Sequence, residues 1–223
     1  MKLLWRIALV LLLLGAVYWF TVPVARLSVV TDRWHEPILE QVWSGHPQSR
    51  LMFLNRSSVT DALGALPVTN VTIQRQRPWN AVATVDIADP DLVVRQGKQL
   101  AAVFLAQGAA YSVPAVSSSW KVLDVTGFPK ATQAFLSTSV EYASMCSELL
   151  QRKDKLTITA LSLSPTGLSV RLKDGKTLLL GDAANGTSKI DRALAVVNMS
   201  AFRDKAVTID LRFDGQAVIP GTP

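Results

Sequence analysis

Two histidines and one cysteine are the chain's whole stock of imidazole and thiol, and their placement limits its chemistry. His35 and His46 lie near the amino end and Cys146 lies far downstream, so no zinc-ligand spacing and no His-Glu-x-x-His run occurs. A histidine beside a helix boundary reads as a surface or capping residue, and a lone thiol among apolar helical neighbours reads as inert core. Nucleotide and nucleophile-elbow chemistry lack their starting residues, since neither Gly-x-Ser-x-Gly nor a phosphate-binding Gly-x-x-x-x-Gly-Lys loop is present. The carboxylate pairs Asp89/Asp91 and Asp210/Asp214 flank a proline or sit on the polar side of a strand, which makes them solvated turn and strand positions. The reading is of a protein that is not an enzyme, with no catalytic residue, no metal and no cofactor. Arg75, Arg77 and Trp79 combine basic and aromatic residues at a hairpin, the pattern of a solvated turn, and no nucleic-acid partner is expected.

The net charge of +6 is spread along the chain and interleaved with acids. Without a long basic run it suits a mildly basic face toward anionic lipid or cell-wall polymer. A single cysteine allows no internal disulfide.

The stretch Ile7 to Ala25 is uncharged from end to end and bounded by Arg6 and Arg26. With Leu3, Leu4 and Trp5 it reaches the about 20 apolar residues a membrane-spanning helix needs, and Trp5, Tyr18 and Trp19 stand near its ends. A cleaved leader is the competing reading. A cut after Ala25 places Pro23 at the third position before it, a poor site, and Cys146 stands too far along for a lipoprotein-type cut. Lys2 and Arg6, with no acid before the run, favour a cytoplasmic amino end, so that everything after Ala25 faces the far side of the membrane.

The remaining about 200 residues suffice for one or two domains. Arg26 to Val30 has the β-branched content of a strand. Pro37 suits the first turn of a helix through Trp43, and Gly45-His46-Pro47 ends it. Ser57 or Ser58 caps a second helix that carries Ala62, Leu63 and Leu66 and stops at Pro67. Val68 to Gln76 and Asn80 to Ala88 alternate as strands about Arg77-Pro78-Trp79. The order, strand, helix, helix, strand, strand, describes a small α+β unit with two helices over a three-stranded sheet.

That order resembles a POTRA domain, and the run LPVTNVTIQRQRPWNAVATVDIADP resembles the matching part of the FtsQ/DivIB family of bacterial cell-division proteins. Leu66-Pro67, Val71, Ile73, Arg75, Pro78, Val85 and Pro90 stand at the family's places. Two departures are Ile87, where the family often has an acid, and Thr31-Asp32, where it usually has a glycine.

Asp91 to Gln96 and Gln99 to Ala106 read as strands about Gly97-Lys98, with another after Gly108. Leu123 to Pro129 reads as a loop and Ala131 to Arg152 as a helix. Leu156 to Leu163, Gly167 to Lys173 and Lys176 to Leu180 read as strands, the last two joined by the hairpin pair Asp174-Gly175. Thr187 or Ser188 caps a helix with Ile190, Ala193, Leu194 and Val197 on one side. Ala206 to Phe213 and Gln216 to Ile219 are the final strands. DGKTLLLGD, then SKIDRAL, then TIDLRFDGQAVI resembles the end of the FtsQ/DivIB β domain.

The fold class expected is therefore α+β: a single N-terminal transmembrane helix within 1–25, a POTRA-like β-α-α-β-β domain over 26–90, a mixed β domain with helices over 91–219, and a tail, 220–223. The resemblance implies a bitopic, single-pass scaffold of the division machinery, located in the cell membrane at the septum with its C-terminal domain extracytoplasmic. It would help regulate septal wall synthesis by receiving segments of FtsB- and FtsL-type partners on its C-terminal edge strand. The partner-binding residues so implied are Phe213, Ala217, Val218 and Ile219, with Phe213 as the anchor; the alternative for Phe213 and Val218 is that they complete the core. The family's basic contact falls at Ser164 to Thr166, where this sequence has none. A membrane-anchored envelope enzyme acting on cell-wall polymers is the alternative function.

Overall fold

The computed structural model describes residues 2–21, 26–43, 54–77, 80–199, 206–213 and 217–218. Of the positions discussed above, Pro23, Ala25, Gly45, His46, Pro47, Pro78, Trp79, Asp214, Gln216, Ile219 and the tail 220–223 lie outside these residues. The chain divides into two units, Met1–Ala88 and Asp89–Pro223.

The first unit opens with helix α1 (Lys2–Thr21). A transmembrane helix was the expectation here, and it is corrected: among the described residues no helix is long and apolar enough to cross a membrane. Length is the physical reason. Lys2 and Arg6 occupy the first part of α1, and its uncharged part, Ile7 to Thr21, is about 22 Å of helix, against about 30 Å of hydrocarbon. Leu9 to Leu14 are exposed all round it.

A three-stranded sheet follows, in the order β1 (Arg26–Val30), β3 (Asn80–Ile87), β2 (Val68–Arg77), with β1 parallel and β2 antiparallel to β3. Ala81, Ala83, Val85 and Ile87 alternate into the core, where Leu27 and Val71 meet them. Helices α2 (Glu36–Val42) and α3 (Arg56–Ala62) contribute Ile38, Leu39 and Val59. Asp32 sets up the start of α2, its Oδ1 accepting from the backbone N–H of Trp34 at 2.8 Å and its Oδ2 lying 2.6 Å from His35 Nδ1. The cap of α3 is Asn55, not Ser57 or Ser58. Its Oδ1 accepts from Ser58 N–H at 2.9 Å while Ser58 Oγ accepts from Asn55 N–H at 3.2 Å, a reciprocal capping box with serine in the role usual for glutamate.

The second unit is built on one eight-stranded mixed sheet. Its strands are β4 (Leu92–Gln96), β5 (Gln99–Phe104), β6 (Ala109–Ser112), β7 (Val122–Thr126), β8 (Ile158–Ser164), β9 (Gly167–Leu172), β10 (Thr177–Gly181) and β11 (Thr208–Asp210), in the order β11-β10-β9-β8-β7-β4-β5-β6. Helices α4 (Thr132–Gln151), α5 (Lys153–Leu156) and α6 (Gly186–Val197) connect them. Phe135, Tyr142, Cys146 and Leu149 of α4 and Ile190, Ala193 and Val196 of α6 share one buried core with Val125, Leu161, Val170, Leu178 and Ile209 of the sheet.

Leu123 to Thr126, expected as loop, belong to a central strand. The alternation Leu123 in, Asp124 out, Val125 in decides it: Leu123 and Val125 are buried, and Asp124 takes a two-pronged ion pair from Arg95 at 2.5 and 2.8 Å. β7 then joins the two halves of the sheet, pairing in parallel with both β4 and β8. The helix expected to be capped by Thr187 or Ser188 starts earlier, at Gly186, after Asn185 in the left-handed region.

Gly167, with φ +104°, lies where any Cβ would come within 2.1 Å of the Gly181 backbone. Gly97, with φ +59°, has open space about it. The full chain carrying Gly167→Ala is therefore expected to lose about 3 kcal/mol of stability, and Gly97→Ala about 1 kcal/mol, from strain alone. Denaturant unfolding of the two variants checks this; equal losses would contradict the close approach.

Candidate functional site

The site is the outermost edge of the second unit's sheet. β10, α6 and β11 form a crossover, so β11 returns parallel to β10, with Thr177↔Thr208, Leu178↔Ile209 and Leu179↔Asp210 as partners. Thr177 N–H donates to Val207 O at 3.0 Å, and Leu211 N–H to Leu179 O at 2.8 Å. Val207, Ile209 and Leu211 thus turn their backbone groups inward, and by strand alternation Thr208, Asp210 and Arg212 turn theirs outward. The side chains of Ile209 and Leu211 are fully buried and hold the strand down.

At the outward edge Asp210 meets Val218. Asp210 N–H donates to Val218 O at 2.8 Å and Val218 N–H to Asp210 O at 2.9 Å, an isolated antiparallel bridge. The expected strand over Gln216 to Ile219 is thus present, within the described residues, only as this contact. Likewise the strand expected over Ala206 to Phe213 covers Thr208–Asp210 alone, because Asp210 draws the chain into a turn. Its carboxylate accepts from Arg212 N–H at 3.0 Å and pairs with the Arg212 guanidinium at 2.5 Å. Asp210 is 6% exposed, and the Arg212 hydrogen bond holds its carboxyl below the usual carboxylate range.

Beyond the turn, Phe213 is 54% exposed and Val218 is 42% exposed, so neither completes the core. The Arg212 guanidinium carbon lies 5.9 Å from the centre of the Phe213 ring, and Arg192 of α6 donates to the Phe213 carbonyl at 2.6 Å. Ala217 is exposed beside them. Three of the four residues expected to bind a partner therefore gather at one edge; Ile219 is the fourth.

Sequence reasoning found no basic residue at Ser164 to Thr166, yet one arrives there through space. Arg212 lines a surface depression of about 250 Å³ together with Tyr142, Pro165, Thr166, Gly167, Gly181 and Asp182. Its Cγ lies where a Gly181 Cβ would come within 2.8 Å, so the missing side chain is what lets Arg212 cross the sheet. The local signal was the pairing Asp210-x-Arg212, which sets the arginine's direction.

Among the described residues considered for chemistry, Asp89, Asp91 and Cys146 are employed structurally. Asp89 accepts from the Trp120 indole at 2.9 Å and Ser119 Oγ at 3.1 Å, and Asp91 from Leu105 N–H at 2.8 Å. Cys146 is 1% exposed, and burial pushes its thiol up to about 12. One Ser-x-x-Lys spacing, Ser118 to Lys121, went unnoticed in the sequence. It falls in a turn with Ser118 exposed, not on a helix, and among the described residues no hydrogen bond joins the two. Among the described residues no cluster of histidine, cysteine or carboxylate side chains could hold a metal ion. No protein-family model matches the chain, and no curated protein matches it.

The Asp210–Arg212 pair links the edge to pH. Because the folded carboxyl titrates below its unfolded value, near 3.9, the pair contributes fully above that value and loses its contribution as pH falls through the lower, folded value. Arg212→Ala is expected to destabilise the chain at pH 7, because it removes the hydrogen-bonded partner of the Asp210 carboxylate. The difference from wild type should shrink toward zero well below pH 3.9 in denaturant unfolding; a difference that grows on acidification would contradict the pairing.

Proposed function

We propose that the chain is a non-enzymatic scaffold of the FtsQ/DivIB type, docking an extended segment of FtsB- and FtsL-type partners on its C-terminal sheet edge and so helping to regulate septal wall synthesis. This role belongs to the extracytoplasmic side of the cell membrane at the division septum. One observation carries the reading: an exposed aromatic, Phe213, stands beside an edge strand whose outward side is met, among the described residues, by Val218 alone.

The physics of strand addition fits these residues. Main-chain hydrogen bonds supply affinity at such an edge and side chains at alternate positions supply selectivity. Natural sheets protect their edges with short strands and charged residues. β11 has three residues, and Arg212 follows it. Phe213 and Val218 are apolar exceptions, and large exposed apolar side chains beside open backbone are the usual anchors of an interface. The sequence resemblance points to the same residues independently of their exposure.

A pull-down of membrane partners with the full chain tests the proposal. Phe213→Asp at equal expression is expected to reduce recovery of FtsB- and FtsL-type proteins about thirtyfold, the loss of an anchor worth about 2 kcal/mol. Equal recovery with both chains would remove Phe213 from the interface, and recovery of neither partner with the wild type would end the proposal.

A further inference from the structure

We infer that the cleft between β7 and β8 is a second docking site, separate from the C-terminal edge, which takes an extended peptide segment carrying acidic side chains. This site lies in the middle of the sheet and does not depend on the role proposed above. β7 and β8 run parallel but share only the register positions Val125↔Leu161 and Thr126↔Ser162. Just past them Gly127, with φ +78°, sits where a Cβ would come within 2.1 Å of Leu163 O, so the two backbones are pressed together at that end. Toward their amino ends they part. Thr157, immediately before β8, is a β-branched residue in the left-handed region, φ +46°, a rare and strained conformation. The register of β8 with β9 then shifts between Ile158 and Ala160, an irregularity of the kind that bends a strand and ends its pairing.

The parting leaves backbone groups of β7 open. Val93 N–H donates to Lys121 O at 2.8 Å, so Lys121, Leu123 and Val125 turn their backbone groups toward β4, and Val122, Asp124 and Thr126 turn theirs toward β8. Pairing with β8 begins only at Val125, so among the described residues no ladder bond reaches Val122 N–H, Val122 O or Asp124 N–H. Val122 and Asp124 line a cavity of about 100 Å³, and Val122 and Leu150 line a second of about 330 Å³.

Charge and shape choose the occupant. Lys153 lines the first cavity and Lys121 the second. Asp124, the one carboxylate among the described residues lining either, is already held by Arg95 through hydrogen bonds at 2.5 and 2.8 Å. The charge left over is positive, which favours a negatively charged partner. A small anion meets the lysines and leaves the open backbone of Val122 and Asp124 unmet. An extended segment meets both: it adds to β7 by main-chain hydrogen bonds, lays an apolar side chain against Leu150, and sets acidic side chains toward Lys121 and Lys153.

The probe is a fluorescein-labelled octapeptide of alternating glutamate and valine, titrated by anisotropy against the full chain. Its counterpart, alternating lysine and valine, should not bind. Lys121→Glu combined with Lys153→Glu is expected to weaken binding of the acidic probe about thirtyfold. Lys98→Glu combined with Lys130→Glu, the same charge change at exposed positions elsewhere, should alter it by less than about twofold. Phe213→Asp should leave it unchanged. In wild type the amides of Val122 and Asp124 should gain protection from hydrogen exchange when the probe is bound. Equal loss in the two lysine pairs would reduce the effect to net charge and overturn the site. Lysine-specific binding with Val122 and Asp124 unprotected would overturn strand addition, loss on Phe213→Asp would move the probe to the C-terminal edge, and a wild-type chain that shows no saturable binding would end the inference.

Discussion

Parallel pairing between β10 and β11 is the constraint from which the candidate site follows. Parallel neighbours cannot be joined by a tight turn, so the chain must leave the sheet, cross it and come back. Here it does so through α6, which buries Ile190, Ala193 and Val196 against the shared core. The return strand then has β10 on one side and nothing of the sheet on the other. Ile209 and Leu211 anchor it by burial while Asp210 and Arg212 bend the chain away immediately after. An edge that is firmly seated on its inner side and met, among the described residues, only by Val218 on its outer side is the outcome, with Phe213 exposed beside it.

Local signals carried much of this and stopped where pairing became long-range. The Asp174-Gly175 turn between β9 and β10 was legible because a two-residue turn with φ near +84° at glycine is written in adjacent residues. The apolar spacing of Ile190, Ala193 and Val197 marked α6, although its start was misplaced, since Asn185 enters the left-handed region without offering a side-chain cap. The direction of β11 was not legible: TIDL reads the same whether it joins its neighbour parallel or antiparallel. β7 was missed because Asp124 looks like a loop residue until Arg95, on a neighbouring strand, is brought beside it. Asn55 escaped notice as the cap of α3 because its partner is a serine. The amino-terminal run misled in the other direction, since helix formation was correctly expected there and the spanning length was not.

The partner-binding residues were named from resemblance, and their exposure is a separate fact. Phe213 and Val218 had been equally compatible with a buried edge face; both are solvated. The basic residue missing from Ser164 to Thr166 illustrates what a linear reading leaves out. Gly167 and Gly181 bring two backbones and the Arg212 side chain within a distance no Cβ would permit, and that packing carries a guanidinium to the depression beside Thr166. A basic residue absent from the sequence at Ser164 to Thr166 is thus supplied there through space. The titratable groups elsewhere, Asp89, Asp91 and Cys146, are consumed by hydrogen bonds or burial.

Amide hydrogen exchange on the full chain, with and without a bound FtsB-type segment, tests the central claim most directly, because it distinguishes the two sides of one strand. The outward amide of Thr208 should gain protection on binding, while that of Leu211, donated inward to Leu179 O at 2.8 Å, should not change. Protection appearing instead along β6, at the opposite edge of the sheet, with Thr208 unaffected, would contradict the account.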